Sequence, residues 1–229
     1  MPRIIPGEPR PDHTKIDYDE CYAKLVLEKV FSERYNNLIF SDRPDLRNQR
    51  NTIGVEVTSA IPEDVKESTK LWYRLETNTA KKPELNKERM KQLGVEYTGG
   101  VQAWPSTVYP TGNFDKSPYL DILKKLETKI KKLNSGKYDL LERYDLFIET
   151  ELFVEEDFLP IILNRALKIN TGRLQYSYLY VMFQNRICEF DLCNKSFQIR
   201  MFTEQFEVAC EARSIIEKAE NVDDPLIAL

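Results

Sequence analysis

Apolar and polar side chains alternate along a short β-branched stretch at residues 53–58, IGVEVT. This composition and period predict a β-strand, in which successive side chains point to opposite faces of a sheet. Glu56 and Thr58 therefore share one face. The apolar residues of the opposite face are Ile53, Val55 and Val57.

Asp45 lies upstream of this strand, at the start of a segment that can return beside Glu56 across the polar turn 47–52. Two carboxylates that meet in this way repel each other unless a cation lies between them. Hard oxygen ligands of this kind suit Mg²⁺ or Mn²⁺. The alternative is that Asp45 only caps a turn and that Glu56 is an exposed strand residue.

The remaining periodicities predict a mixed α/β chain of helices and strands with one irregular region. The predicted helices are 19–35, 62–78, 118–134, 155–168 and 204–219, and the predicted strands are 38–40, 53–58, 144–149, 176–183, 186–191 and 197–202. A single domain over residues 1–229 is expected. Its expected parts are a flexible lead at 1–17, an irregular insertion at 81–113 that contains a short helix near 83–93, and a C-terminal extension at 184–229.

Pro44-Asp45 followed by Glu56-Val57-Thr58 resembles the motif of the PD-(D/E)xK nuclease superfamily, with Thr58 where the lysine usually stands. The sequence pattern DRPDL…IGVEVT also resembles that of a group of bacterial and phage proteins within the superfamily. The resemblance covers residues 19–183. It implies a three-layer restriction-endonuclease-like core, α-β-β-β-α-β, with a mixed central sheet flanked by helices, and extra strands and a helix at the C-terminal end.

By the same resemblance, the side chains of Asp45 and Glu56 and the main-chain carbonyl of Val57 would hold one Mg²⁺ or Mn²⁺ ion. Glu20 falls on the buried stripe of the first helix and matches the acid that this helix often contributes to the metal site. Equally, Glu20 can be a helix N-terminal acid that interacts favourably with the helix dipole. Thr58 can orient a water molecule, but it carries no positive charge.

Some members of the superfamily supply the missing amine from a neighbouring helix. Lys129 lies at the edge of the buried stripe of helix 118–134, so it is the candidate catalytic amine, and Lys125 is the second candidate. The alternative for both residues is a lysine whose stem covers apolar surface while its amine reaches water.

The net charge of −4 hides an uneven distribution, because residues 66–137 contain 15 basic and 8 acidic side chains. Phosphate binding depends on the local electrostatic field, so this stretch is the candidate nucleic-acid surface. The alternative is that its lysines only keep the helices soluble. A single histidine, His13, and four cysteines without CxxC spacing exclude a zinc site of the usual kind. No membrane span or signal peptide is predicted, so a cytoplasmic protein is expected.

Together these features predict a metal-dependent nuclease that hydrolyses phosphodiester bonds, with DNA as the expected substrate. One alternative is an inactive relative that binds nucleic acid or a protein partner, because Thr58 replaces the lysine. Another is a structural protein of a phage or mobile element whose carboxylates are incidental. The oligomeric state is left open by the sequence.

Overall fold

Within the residues that the structure describes, seven strands form one mixed sheet in which their spatial order follows the chain. They are β1 (Ile39–Phe40), β2 (Leu46–Arg47), β3 (Ile53–Ser59), β4 (Arg143–Thr150), β5 (Tyr176–Phe183), β6 (Arg186–Asp191) and β7 (Ser196–Met201). Strands β3, β4 and β5 run parallel to one another, and the other neighbours are antiparallel. The predicted mixed α/β class is confirmed.

Helices cover both faces of this sheet. Their bounds are α1 (Tyr18–Val30), α4 (Pro118–Leu133), α5 (Leu159–Ile169) and α6 (Gln205–Glu220). Side chains of α1 and α6 pack with Val55 and Val57 in one apolar core, and side chains of α4 and α5 form a second core on the opposite face. The apolar face predicted for residues 53–57 is therefore buried under α1 and α6.

The computed structural model describes residues 16–76, 79–95, 97, 118–150, 154, 156–183 and 185–220. The chain divides into two compact units, where the sequence predicts one domain with an insertion at 81–113. The described part of the larger unit is 16–60 and 118–220, and that of the smaller unit is 61–97. The inserted segment thus begins at the end of β3, earlier than predicted.

The described part of the smaller unit contains two helices, α2 (Glu63–Glu76) and α3 (Pro83–Gln92). They share a small apolar core of Leu71, Trp72, Leu75, Met90 and Val95. The short helix predicted near 83–93 is confirmed as α3. The predicted basic stretch 66–137 is divided between the two units, since α2 and α3 belong to the smaller unit and α4 to the larger.

Most predicted element bounds agree with the structure to within a few residues, and the exceptions lie at helix ends. The first helix ends at Val30, five residues before its predicted end at 35. The helix predicted at 155–168 begins as a 3₁₀ turn, Glu156–Phe158, before α5. The strands and helix predicted for the C-terminal extension are β6, β7 and α6. Residues 1–15 of the lead, with His13, and residues 98–117 and 221–229 lie outside the described residues.

A buried polar network lies on the face of the sheet that α1 covers. The Asp145 carboxylate is fully buried, and it accepts hydrogen bonds from the Tyr35 hydroxyl at 2.7 Å, Arg143 Nε at 2.9 Å and the Tyr178 main-chain N–H at 3.2 Å. Burial raises the pKa of Asp145 to about 6, against the lowering effect of the nearby Arg143 charge and these hydrogen bonds. Arg34 extends the network to Glu189 at 2.6 Å. The network thus joins the segment after α1 to three strands.

Gly54 allows the segment before β2 to lie close against β3. A Cβ atom at this position would overlap the Pro44 ring and would lie 2.7 Å from Leu141 Cδ1. We expect Gly54→Ala to lower the free energy of unfolding by roughly 1–3 kcal/mol, because Pro44 and its neighbour Asp45 must move away. Urea denaturation of both proteins measures the change, and an unaltered midpoint would show that the Pro44 segment yields freely.

Candidate functional site

The strand register brings Asp45 and Glu56 together. Leu46 pairs with Val55, so continuing the antiparallel register by one residue sets Asp45 opposite Glu56. Asp45 Oδ2 accepts the Val57 main-chain N–H at 2.7 Å. The N–H and C=O of one strand residue point toward the same neighbour, so the Val57 carbonyl is also directed to this side. Asp45, which directly precedes β2, therefore neighbours both Glu56 and Val57 of β3.

Lys129 reaches this point from α4. It lies on the sheet-facing side of the helix, with the buried Leu126 and Leu133 one turn before and after it. Its ammonium donates to Glu56 Oε2 at 2.6 Å and to Asp45 Oδ2 at 3.4 Å. The Lys129 ammonium therefore lies between the two carboxylates.

Tyr138 and Lys132 also contact Glu56, and neither is among the site residues predicted from the sequence. The Tyr138 hydroxyl donates to Glu56 Oε1 at 2.7 Å, and Lys132 Nζ lies 3.5 Å from Glu56 Oε2. Lys132 could have been found, because its spacing of three from Lys129 places both on one side of α4. Tyr138 belongs to the non-helical segment between α4 and β4, where no periodicity predicts its direction.

Burial differs strongly between the groups of the site. The Glu56 side chain is fully buried, whereas those of Asp45 and Lys129 keep 15% and 13% of their surface and that of Lys132 keeps 45%. Glu56 is thus not the exposed strand residue of the alternative interpretation. Solvent reaches the cluster from the side of Asp45 and the lysines.

Glu20 lies within electrostatic reach of this cluster. It follows the N-cap residue Asp17, whose carboxylate accepts the Glu20 main-chain N–H at 3.3 Å. Burial raises the pKa of Glu20 to about 8, and the negative charges of Asp45 and Asp17 raise it further. Burial and the Glu56 charge also raise the pKa of Asp45, although Lys129 and the Val57 N–H act in the opposite direction. Burial and the neighbouring acids therefore disfavour the charged forms of Glu20 and Asp45 more than Lys129 favours them.

Two other candidates from the sequence, Thr58 and Lys125, take no part in the described contacts of this cluster. Thr58 is half-buried on the same face of β3 as Glu56, but the hydrogen bonds described for the site do not involve its hydroxyl. Lys125 lies one turn before Lys129 and is half-buried. Asp42 is 83% exposed and pairs with Arg43 at 3.4 Å, so it is a surface acid.

The donor set suits a hard divalent cation, although within the described residues no three acidic, histidine or cysteine side chains form a ready metal group. Mg²⁺ commonly takes one or two carboxylates and keeps several waters. Asp45 Oδ2, Glu56 Oε2 and the Val57 carbonyl provide such a set of oxygens. The Lys129 ammonium uses lone pairs of the same two carboxylate oxygens. A cation and this ammonium would therefore compete for them.

Comparisons with protein-family models, with curated proteins and with solved structures found no match to this chain. The function must therefore be inferred from the site itself. In the described part of the chain, no helix has the length and apolar character needed to cross a membrane.

The raised pKa of Glu20 predicts a pH-dependent stability. A neutral Glu20 contributes fully below about pH 4.5, and this contribution is lost as the pH rises through about 8, because the folded protein must then hold a buried charge. We expect Glu20→Gln to be more stable than the parent at pH 9 and equally stable at pH 4.5. Urea denaturation in EDTA at both pH values measures this. Glu33→Gln, whose side chain is 56% exposed, is the control.

Proposed function

We propose that this chain is a metal-dependent nuclease that hydrolyses phosphodiester bonds, with DNA as the expected substrate, through a variant PD-(D/E)xK site. One observation carries the proposal: the Lys129 ammonium lies 2.6 Å from Glu56 and 3.4 Å from Asp45. A fully buried carboxylate, a second acid and an amine from a different element converge where the motif resemblance expects them. A restriction-endonuclease-like fold is part of the same proposal, supported by the order α1, β1, β2, β3, α4, β4 within the larger unit.

The residues of the chain take distinct roles in this proposal. Asp45, Glu56 and the Val57 carbonyl hold a Mg²⁺ or Mn²⁺ ion, and Glu20 supports it from α1. When bound, the ion supplies Lewis-acid chemistry at the scissile phosphate. The Lys129 ammonium stabilises the negative charge that develops on the phosphoryl oxygens and orients the attacking water. Thr58 contributes at most a hydroxyl contact to water.

Positive charge near the cluster supports an anionic substrate. Lys132 lies beside Glu56 and keeps nearly half of its surface exposed, and Lys124 and Lys131 are further exposed cations on α4. Exposed lysines of this kind neutralise phosphates and make binding strongly dependent on salt. The part of the basic stretch that belongs to α4 is therefore the proposed nucleic-acid surface.

The proposal includes a cytoplasmic location, in keeping with Cys21 and Cys188 as buried thiols without a disulfide bond.

A cleavage assay with matched variants tests the proposal. We expect the purified protein to cut plasmid or single-stranded DNA in Mn²⁺ or Mg²⁺ but not in EDTA. Asp45→Asn and Glu56→Gln each remove one charged ligand and should abolish cleavage. Asp42→Asn, a change of the same kind at an exposed acid, should leave it intact. Cleavage that survives in both site variants would overturn the proposal.

The second candidate is an inactive relative that binds nucleic acid or a protein partner. It is favoured by the fact that both Glu56 oxygens already accept hydrogen bonds, from Tyr138 and Lys129. A carboxylate whose two oxygens both accept hydrogen bonds needs no metal ion to be satisfied in the interior. Binding of DNA that depends on salt, without cleavage in any divalent cation, would favour this candidate.

A further inference from the structure

Tyr138 contacts Glu56 from the segment that joins α4 to β4. This segment begins after Gly136, whose φ of +79° is favourable for glycine at the end of a helix. The Tyr138 ring is 8% exposed, and its hydroxyl donates to Glu56 Oε1 at 2.7 Å. Burial and the hydrogen bond to Glu56 raise the pKa of this hydroxyl far above its usual value, so it remains a neutral donor.

The Tyr138 ring is held by contacts that do not involve Glu56. It packs edge-on against the Tyr144 ring, with 6.4 Å between the ring centroids. The Tyr144 hydroxyl donates to the Asp139 carbonyl and accepts the Leu141 N–H at 3.0 Å, so it fixes the backbone that follows Tyr138. Lys132 Nζ lies 6.0 Å over the Tyr138 ring. The hydroxyl is therefore preorganised toward β3.

The two oxygens of Glu56 consequently face different partners. Oε1 is occupied by the Tyr138 hydroxyl, whereas Oε2 points to Lys129 and to Asp45 Oδ2. A carboxylate is planar, so fixing one of its oxygens also fixes the direction of the other.

We propose that Tyr138 is a positioning residue, which turns Glu56 Oε2 toward Asp45 and so sets the distance between the two oxygens offered to the divalent cation. This inference rests on the proposed metal site. Groups that hydrogen-bond to metal-ligating carboxylates are known to matter, and their loss costs about 10- to 100-fold in metal affinity or activity.

Tyr138→Phe removes only the hydroxyl, and Mn²⁺ alone is the probe. We expect isothermal titration calorimetry to give about 10-fold weaker Mn²⁺ binding than in the parent. We also expect a lower kcat for DNA cleavage with an unchanged KM. The control is Tyr176→Phe, a second buried tyrosine whose hydroxyl donates to the Lys129 main-chain carbonyl at 3.2 Å. If the Tyr138 hydroxyl only stabilises the fold, Tyr138→Phe will lower the thermal midpoint without changing Mn²⁺ affinity. Equal Mn²⁺ affinity in the parent and in Tyr138→Phe overturns the inference.

A measurement without loss of the hydroxyl covers the case in which Tyr138→Phe does not fold. 3-Fluorotyrosine at position 138 preserves the hydroxyl and nearly the same shape. We expect its ¹⁹F resonance to shift when Mg²⁺ saturates the protein, and an unshifted resonance contradicts the inference. Failure of the proposed nuclease function can be distinguished from failure of the Tyr138 inference. A parent that binds Mn²⁺ without cleaving DNA removes the nuclease but leaves the affinity comparison valid, and a parent that binds no Mn²⁺ overturns both.

Discussion

A Lys129→Met variant is expected to lose roughly 100- to 1,000-fold in DNA cleavage, the usual cost of removing one charge-stabilising donor from a transition state. It is also expected to bind Mn²⁺ more tightly than the parent. The ammonium contacts Glu56 Oε2 and Asp45 Oδ2, which are the oxygens that a cation needs. Its removal takes away the nearer ammonium and leaves Lys132 at 3.5 Å from Glu56 Oε2, so affinity and activity change in opposite directions.

Without a cation, the same variant should be less stable by about 3–5 kcal/mol, because breaking a buried ion pair leaves an uncompensated buried charge. Calorimetric titration with Mn²⁺ and thermal unfolding in EDTA provide the two measurements. For these two measurements, which involve no DNA, Lys124→Met is the matched control, since Lys124 lies on the same helix, is 71% exposed and pairs with Asp121 at 3.4 Å. Weaker Mn²⁺ binding in Lys129→Met would show that the lysine assists the cation instead of competing with it.

The second large effect is expected at Asp145. Asp145→Ala should lower the free energy of unfolding by about 3–5 kcal/mol, because it leaves the partly buried Arg143 guanidinium and the Tyr35 hydroxyl without their shared acceptor. This loss is a large fraction of the free energy of unfolding of a typical domain, which is roughly 5–15 kcal/mol. The effect follows from burial, since the Asp145 side chain is fully enclosed.

Urea denaturation measures the loss at Asp145. Glu156→Ala is the control, because Glu156 is 62% exposed and its ion pair with Arg186 at 2.7 Å lies at the surface. Surface pairs of this kind contribute at most about 1 kcal/mol. A loss at Asp145 no larger than the loss at Glu156 would mean that water replaces the carboxylate in the network.

The central features of the site could be predicted from the sequence because they depend on simple periods. Alternation along residues 53–58 placed Val55 and Val57 on the face opposite Glu56. The helical stripe of α4 placed Lys129 toward the sheet, where its ammonium contacts both acids. These predictions hold because the positions of side chains on strands and helices follow from backbone geometry.

What the sequence did not predict depends on contacts between segments that are distant in the chain. Tyr138 and its bond to Glu56 follow from the path of a non-helical segment, which no periodicity specifies. Asp145 lies within a buried strand, between Tyr144 and Leu146, and its partner Tyr35 comes from a loop 110 residues away. The smaller unit was interpreted partly as irregular sequence, because the Gly and Pro residues around α3 concealed that α2 and α3 share a core.

The smaller unit interrupts the larger unit along the chain, and this affects the order in which the larger unit folds. Glu56 and Lys129 are 73 residues apart in the chain, and residues 61–117 fill most of that interval. Contacts between such distant residues form slowly, because closing a long loop costs entropy before the contact is made. During synthesis, a nascent chain that has left the ribosome only as far as α3 carries both acids without their amine. The cluster of Asp45, Glu56 and Lys129 is therefore completed only when α4 has emerged.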